Sequence, residues 1–174
     1  LEVLRYVYNT LKTQGCAEQD SIMLELKAKF EATAQEVNTR LTEEYLAKNP
    51  GMAARKLYQD GKFSAAIDKY KEAIAQETDA EKLAEYYFSM ASIQFRQMKA
   101  YSAARENARK AASYKPNWGR PYMLIGDMYA ASSRNCGNDG YTRGLAVLAA
   151  IDKYAYGRSI DSEVASEAGR KIAL

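Results

Sequence analysis

The chain has 174 residues, 47% hydrophobic and 27% charged, with a formal net charge of +3 and no histidine, which fits one soluble domain or a short repeat array. That charge is too small to imply nucleic-acid binding by itself. Apolar runs such as residues 145–151 fall well short of the roughly 20 residues a helix needs to cross a bilayer.

Only 10 glycines and 3 prolines interrupt the sequence, so long helices are favoured over a sheet protein with many turns. The sequence begins at Leu1, without an initiator methionine, and its first dozen residues already carry a helical pattern; it is expected to be a piece of a longer protein. One helix is predicted from Leu1 to about Gln14, ending at Gly15. A second follows Asp20, with apolar residues at Ile22, Met23, Leu26 and Phe30. Thr33-x-x-Glu36 predicts a capping box for a third helix, which ends at Asn49-Pro50. Residues 1–48 therefore read as divergent helices of a longer repeat array. Asn49 is expected to cap the next helix and Pro50 to be its first residue.

From there the sequence repeats. The first segment is Ala53-Ala54-Arg55-Lys56-Leu57-Tyr58, then Gly61-Lys62-Phe63, Ala66-Ile67, Tyr70 and Ala73. The second is Phe88, Ala91-Ser92, Phe95, Tyr101, Ala104, Ala108, Ala111 and Pro116. The third is Tyr122, Ile125-Gly126 and Tyr129, followed by Ala150-Ile151, Tyr154 and Gly157. Ser92 to Gly126 is 34 residues and Ala54 to Ser92 is 38; the four extra residues, near Thr78 to Glu81, add about one helical turn.

The pattern resembles the tetratricopeptide repeat, W-x2-L-G-x2-Y, then A-x3-F, then P. The best match is Tyr122-x2-Ile125-Gly126-x2-Tyr129; Ala66-x3-Tyr70 and Ala150-x3-Tyr154 match the second half, and Pro116 the closing proline. The small residues (Ala54, Ser92 and Gly126 against Ala66, Ala104 and Ala150) let paired helices approach. Phe95, Tyr129, Tyr70 and Tyr154 fill the space between one pair and the next. The resemblance implies an all-α solenoid of antiparallel helix pairs wound into a right-handed superhelix, with three repeats over residues 49–162.

There are departures. Pro50, Phe88 and Tyr122 stand where the motif has tryptophan, Ala108 where it has an aromatic, and Thr78 and Ser162 where it has the closing proline. The third repeat spends 24 residues between Gly126 and Ala150, against 12 between Ser92 and Ala104. This predicts an insertion at about residues 132–145, with residues 132–140 a loop by composition. Residues 163–174 are expected to form a C-terminal capping helix with Val164, Ala168 and Ile172 facing inward.

Catalytic chemistry finds little support. Without histidine the usual general base, metal ligand and Ser-His or Cys-His nucleophiles are gone. Cys16 and Cys136 lie far apart, in no metal or redox spacing, and read as two thiols or one long-range disulfide. Asn138-Asp139-Gly140 lacks the alternating carboxylates and closing glutamate of a calcium loop, and turn chemistry explains it as well. Neither Asp127 nor Cys136 has a partner placed beside it by the sequence. No enzyme activity, no cofactor and no metal are expected.

The family resemblance implies binding on the concave side, which the first helix of each pair lines. Helical spacing then nominates Arg55, Tyr58 and Gln59 in the first repeat, and Tyr86, Ser89, Ile93, Arg96 and Gln97 in the second. In the third it nominates Arg120, Met123, Asp127 and Ala130. Arginine and tyrosine are the side chains that most often dominate interfaces, and the set suits an extended peptide; each is also what an exposed helix shows to solvent. The positions that would clamp a chaperone tail are Gly51, Arg55, Met90, Met123 and Asp127. Only Arg55 has suitable charge, so that ligand is not expected.

Charge is uneven. Residues 96–120 carry Arg96, Lys99, Arg105, Arg109, Lys110, Lys115 and Arg120 against Glu106 alone, which reads as a solvated convex face or as a basic surface for an acidic partner. The run Lys115-Pro116-Asn117-Trp118-Gly119-Arg120-Pro121-Tyr122, with Gly126-Asp127-Met128-Tyr129 and Cys136-Gly137, is similar to bacterial tetratricopeptide proteins of the cell envelope. That resemblance implies an envelope or periplasmic location and no known ligand. The expected function is a non-catalytic scaffold for a protein or peptide. The alternatives are a nucleic-acid-binding solenoid on the basic stretch and a structural unit that self-associates through exposed repeat ends.

Overall fold

The computed structural model describes residues 1–135, 137 and 139–173. Among them are nine α-helices and no strand: α1 (Glu2–Thr13), α2 (Ser21–Lys48), α3 (Pro50–Gln59), α4 (Phe63–Gln76), α5 (Ala80–Arg96), α6 (Tyr101–Tyr114), α7 (Arg120–Ser132), α8 (Gly140–Ile160) and α9 (Ala165–Ile172). Short 3₁₀ turns at Ser133–Asn135 and Ser162–Val164 precede α8 and α9. The helices pack in sequential antiparallel pairs, and the chain divides into two compact units, Leu1–Asn49 and Pro50–Leu174.

In the first unit, α1 turns back into α2 through Gly15, whose φ of +90° favours glycine. The turn is closed by Cys16 N–H donating to the Leu11 carbonyl at 3.1 Å. Met23 alone is buried on these two helices. The capping box predicted at Thr33 is not a helix start. The segment is one helix of 28 residues, about 42 Å long, and the Thr33 hydroxyl donates to the carbonyl of Lys29 at 2.8 Å. Thr39 and Thr42 do the same to Gln35 and Asn38. Each hydroxyl is satisfied inside the helix, so the signature has no free backbone donor to serve. Asn49 likewise serves the end of α2, its amide donating to the Tyr45 carbonyl at 2.8 Å. Pro50 forces that end, because the residue before a proline is driven out of the helical region, and Pro50 itself is the first residue of α3.

In the second unit, α4 and α6 each have 14 residues and start three residues before Ala66 and Ala104. Helix α5 has 17 residues and α7 has 13, so the longer spacing before Ser92 enters α5 as an added turn at its N-terminal end. The expected insertion is only partly a loop: α8 starts at Gly140 and runs 21 residues. Asp139 caps it, accepting from Thr142 N–H at 2.7 Å and Thr142 Oγ1–H at 3.0 Å, so Asp139 and Gly140, the last two residues of the stretch read as a loop, serve as a helix start. Cys136 and Asn138 lie outside the described residues, as does Leu174.

Three apolar clusters follow one another, each spanning a helix pair and the helix after it. The first joins Ala54, Ala66, Ile67 and Tyr70 to Met90 and Ile93 of α5. The second joins Ala91, Ala104 and Ala108 to Leu124, Ile125 and Met128 of α7. The third joins Met123, Ala150 and Tyr154 to Val164 and Ala168, with Ile172 packed against it. Every pair therefore leaves a face that the next helix covers, as stacked repeats require. Of the residues expected to face inward from a helix over 163–174, Val164 lies in the 3₁₀ turn before α9, while Ala168 and Ile172 lie on α9 itself.

Candidate functional site

The junction of α3 and α5 holds an open concavity of ≈ 500 Å³, lined in part by Arg55 and Tyr58 of α3, Tyr70 of α4, and Lys82, Glu85, Tyr86 and Ser89 of α5. The start of α5 fixes its position. Asp79 caps the helix, accepting from Glu81 N–H at 2.8 Å and Lys82 N–H at 3.4 Å. One residue pair earlier, Glu77 accepts from the N–H groups of Thr78 and Asp79 at 3.0 and 3.1 Å and pairs with Lys82 at 3.4 Å. Those backbone donors, with Lys82 behind them, hold the Glu77 carboxyl below its ordinary range.

The back wall is aromatic. Tyr70 and Tyr86 meet with ring centroids 5.8 Å apart at 42°, a tilted arrangement favoured by their quadrupoles. Gly51 permits Tyr86 to lie there, since a Cβ at position 51 would fall 2.5 Å from the Tyr86 Oη. Burial raises the phenol of Tyr70 and that of Tyr86 above the ordinary tyrosine range, so both remain hydroxyls at neutral pH. Arg55 is exposed at the rim, and among the described residues its guanidinium makes no ion pair. The recess thus offers the Arg55 guanidinium, Lys82 already paired with Glu77, the Glu85 carboxylate, the hydroxyls of Tyr58, Tyr70, Tyr86 and Ser89, and ring surface, a set suited to a chain carrying both charged and apolar side chains.

Four of the groove residues read from spacing, Arg55, Tyr58, Tyr86 and Ser89, meet here, and Ile93 forms part of the same wall. Gln59 is exposed at the end of α3, Arg96 and Gln97 at the end of α5, Arg120 at the start of α7, and Ala130 further along it; none of them lines the concavity. Met123 is not a groove residue. It is 5% exposed and packs with Ala150, Tyr154, Val164 and Ala168, because α8, the 3₁₀ turn after it and α9 together cover that part of α7. Asp127 is also committed: it accepts from Tyr154 Oη–H at 2.9 Å and forms an ion pair with Lys171 of α9. The Lys171 ammonium lies 5.4 Å from the centre of the Tyr154 ring. Burial, then the Asp127 charge, pushes the Tyr154 phenol up.

Spacing missed Lys82 and Glu85. They extend the stripe of Tyr86, Ser89 and Ile93 one turn towards the N-terminus, at i, i+3, i+4, i+7 and i+11 from Lys82, and they lie in the added turn of α5. The longer interval before Ser92 was the signal that could have found them. Among the described residues Cys16, half-buried after α1, has no disulfide partner, and no group of histidine, cysteine or carboxylate side chains has the arrangement of a metal site.

Fold and site together define a class: an all-helical protein of sequentially paired antiparallel helices, with an arginine-bearing recess between the first helices of two neighbouring pairs. No family model matches the chain, and no curated protein matches it. No helix among the described residues is long and apolar enough to cross a membrane.

Proposed function

We propose that Pro50–Leu174 is a tetratricopeptide-type solenoid that binds an extended segment of another protein along α3 and α5, without catalysing a reaction. The repeat reading is supported by the 34-residue interval from Ser92 to Gly126, the equal lengths of α4 and α6, and the three clusters that each reach into the next helix. The observation that carries the binding reading is the convergence of Arg55, Tyr58, Tyr86 and Ser89 on one concavity. A cation without a carboxylate partner, set beside exposed Tyr58, half-buried Tyr86 and buried Tyr70, is the composition of an interface hot spot. The third repeat contributes little, since Met123 and Asp127 are engaged within the fold.

Peptides selected from a random displayed library on the whole chain test this. Binding of the selected peptides weakens by about tenfold or more with Arg55→Glu and stays unchanged with Arg96→Glu, which lies outside the recess. Failure to select any peptide, or equal loss with both variants, would count against it.

A second reading, self-association, draws on the N-terminal part of α8. Tyr141, Leu145 and Leu148 lie at i, i+4 and i+7 and are 78%, 47% and 61% exposed, an apolar stripe of the kind that marks contact surfaces. Sedimentation of the whole chain over a hundredfold concentration range, with and without Leu145→Glu and Leu148→Glu, tests it; a monomer throughout would dismiss it.

A further inference from the structure

The arginine-rich stretch supplies a second recess, built by α6 and α7 and separate from the α3–α5 concavity. It has a volume of ≈ 460 Å³ and is lined by Ser102, Arg105, Glu106, Arg109, Tyr129 and Ser132. The four residues of α6 fall at i, i+3, i+4 and i+7, one face of the helix. Tyr129 and Ser132 come from the last turn of α7.

We propose that this recess binds the phosphoryl group of a soluble phosphomonoester through Arg105 and Arg109. Arg105 is oriented before any ligand arrives: its guanidinium carbon lies 5.6 Å from the centre of the Tyr129 ring, and Tyr129 is itself packed against the second core cluster. Stacking of this kind fixes the plane of the fork and lowers the ordering cost of each hydrogen bond it makes. Arg109 is exposed one turn further on. Among the described residues neither guanidinium is ion-paired; the carboxylate nearest in sequence, Glu106, is engaged by Lys110 at 2.9 Å. The Glu106–Lys110 pair is neutral as a unit, so the recess keeps the charge of two guanidiniums.

That charge selects the ligand. A phosphomonoester carries about −1.5 to −2 at neutral pH and three acceptor oxygens, which match two planar forks and the exposed Ser102 hydroxyl. A carboxylate would leave one of the two guanidiniums without a counter-charge. The site does not depend on peptide binding at α3 and α5, and either can fail without the other.

Titration of the whole chain with inorganic phosphate and with phenyl phosphate at constant ionic strength, followed by backbone amide chemical shifts, tests it. Sodium acetate is the control. The expected result is saturable shifts in residues 102–109 and 129–132 for both phosphates and not for acetate. Arg109→Gln, an exposed position, weakens the response by about tenfold while leaving the thermal melt unchanged; the double variant with Arg105→Gln abolishes it. If the double variant does not fold, Arg109→Gln alone decides. Equal shifts with acetate, or no effect of Arg109→Gln, would overturn the proposal. So would binding to phosphatidic-acid vesicles without any response to the soluble phosphates.

Discussion

The backbone of Gly126 lies so close to the ring of Tyr154 that a Cβ at position 126 would sit 2.4 Å from Tyr154 Cε1 and 2.6 Å from Cδ1. The ring has nowhere to retreat, because Tyr154 is 5% exposed and its hydroxyl is tied to Asp127. Gly126→Ala therefore overpacks the α7–α8 contact and destabilises the second unit by about 1–3 kcal/mol, read as a lower midpoint in thermal or urea unfolding. A midpoint equal to that of the unaltered chain would mean the two helices do not approach this closely.

Asp127 and Lys171 tie α9 to α7. Asp127→Ala leaves the buried Tyr154 hydroxyl without its acceptor and Lys171 without its carboxylate, at about 1–3 kcal/mol, nearer the lower end because both charges remain partly solvated. Peptide affinity at the α3–α5 recess is expected to be unchanged. Reduced affinity at unchanged stability would return Asp127 to the binding surface.

Thr33 separates two descriptions of the first unit. Inside a continuous helix, Thr33→Ala is neutral or stabilising by about 0.5 kcal/mol, since alanine is the better helix former. At a helix start the same change would cost about 1 kcal/mol. Urea unfolding followed by circular dichroism distinguishes the two.

Much of the second unit was legible because alternating small and large residues at fixed spacing can satisfy only one kind of contact. Ala66, Ala104 and Ala150 are buried at 0%, 0% and 2% exposure, as paired helices demand. The site was legible only where a helix face stays uncovered. Arg55 and Ser89 obeyed the spacing, whereas Asp127 and Met123, at the equivalent positions, are covered by α8 and α9, a tertiary event that local periodicity does not encode. The N-terminal region misled for another reason: Thr33 and Glu36 satisfy a capping signature, yet threonine hydroxyls can bond back to the helix they sit in, and the sequence does not distinguish the two uses.

Glu77 gives the start of α5 a pH dependence. Its carboxyl is held below the ordinary 4.5 by the backbone donors of Asp79 and Thr78, then by Lys82. The stabilisation is fully present above pH 4.5 and is lost as pH falls through the lower folded value. The unfolding midpoint of Glu77→Gln is expected to lie below that of the unaltered chain at pH 7, and the gap is expected to close as pH falls below the ordinary carboxyl range. A gap between the two that persists at low pH would show that the Glu77 charge is not what holds this turn.

The central claim is that α3 and α5 together receive a partner's chain. Its most direct measurement is the footprint of a selected peptide on the whole protein, read from side-chain and backbone chemical shifts at saturation. The account predicts shifts concentrated at Arg55, Tyr58, Tyr86 and Ser89, absent at Arg96 and Asp127. A footprint on α6, α8 or α9 that spares Arg55 and Tyr86 would contradict it.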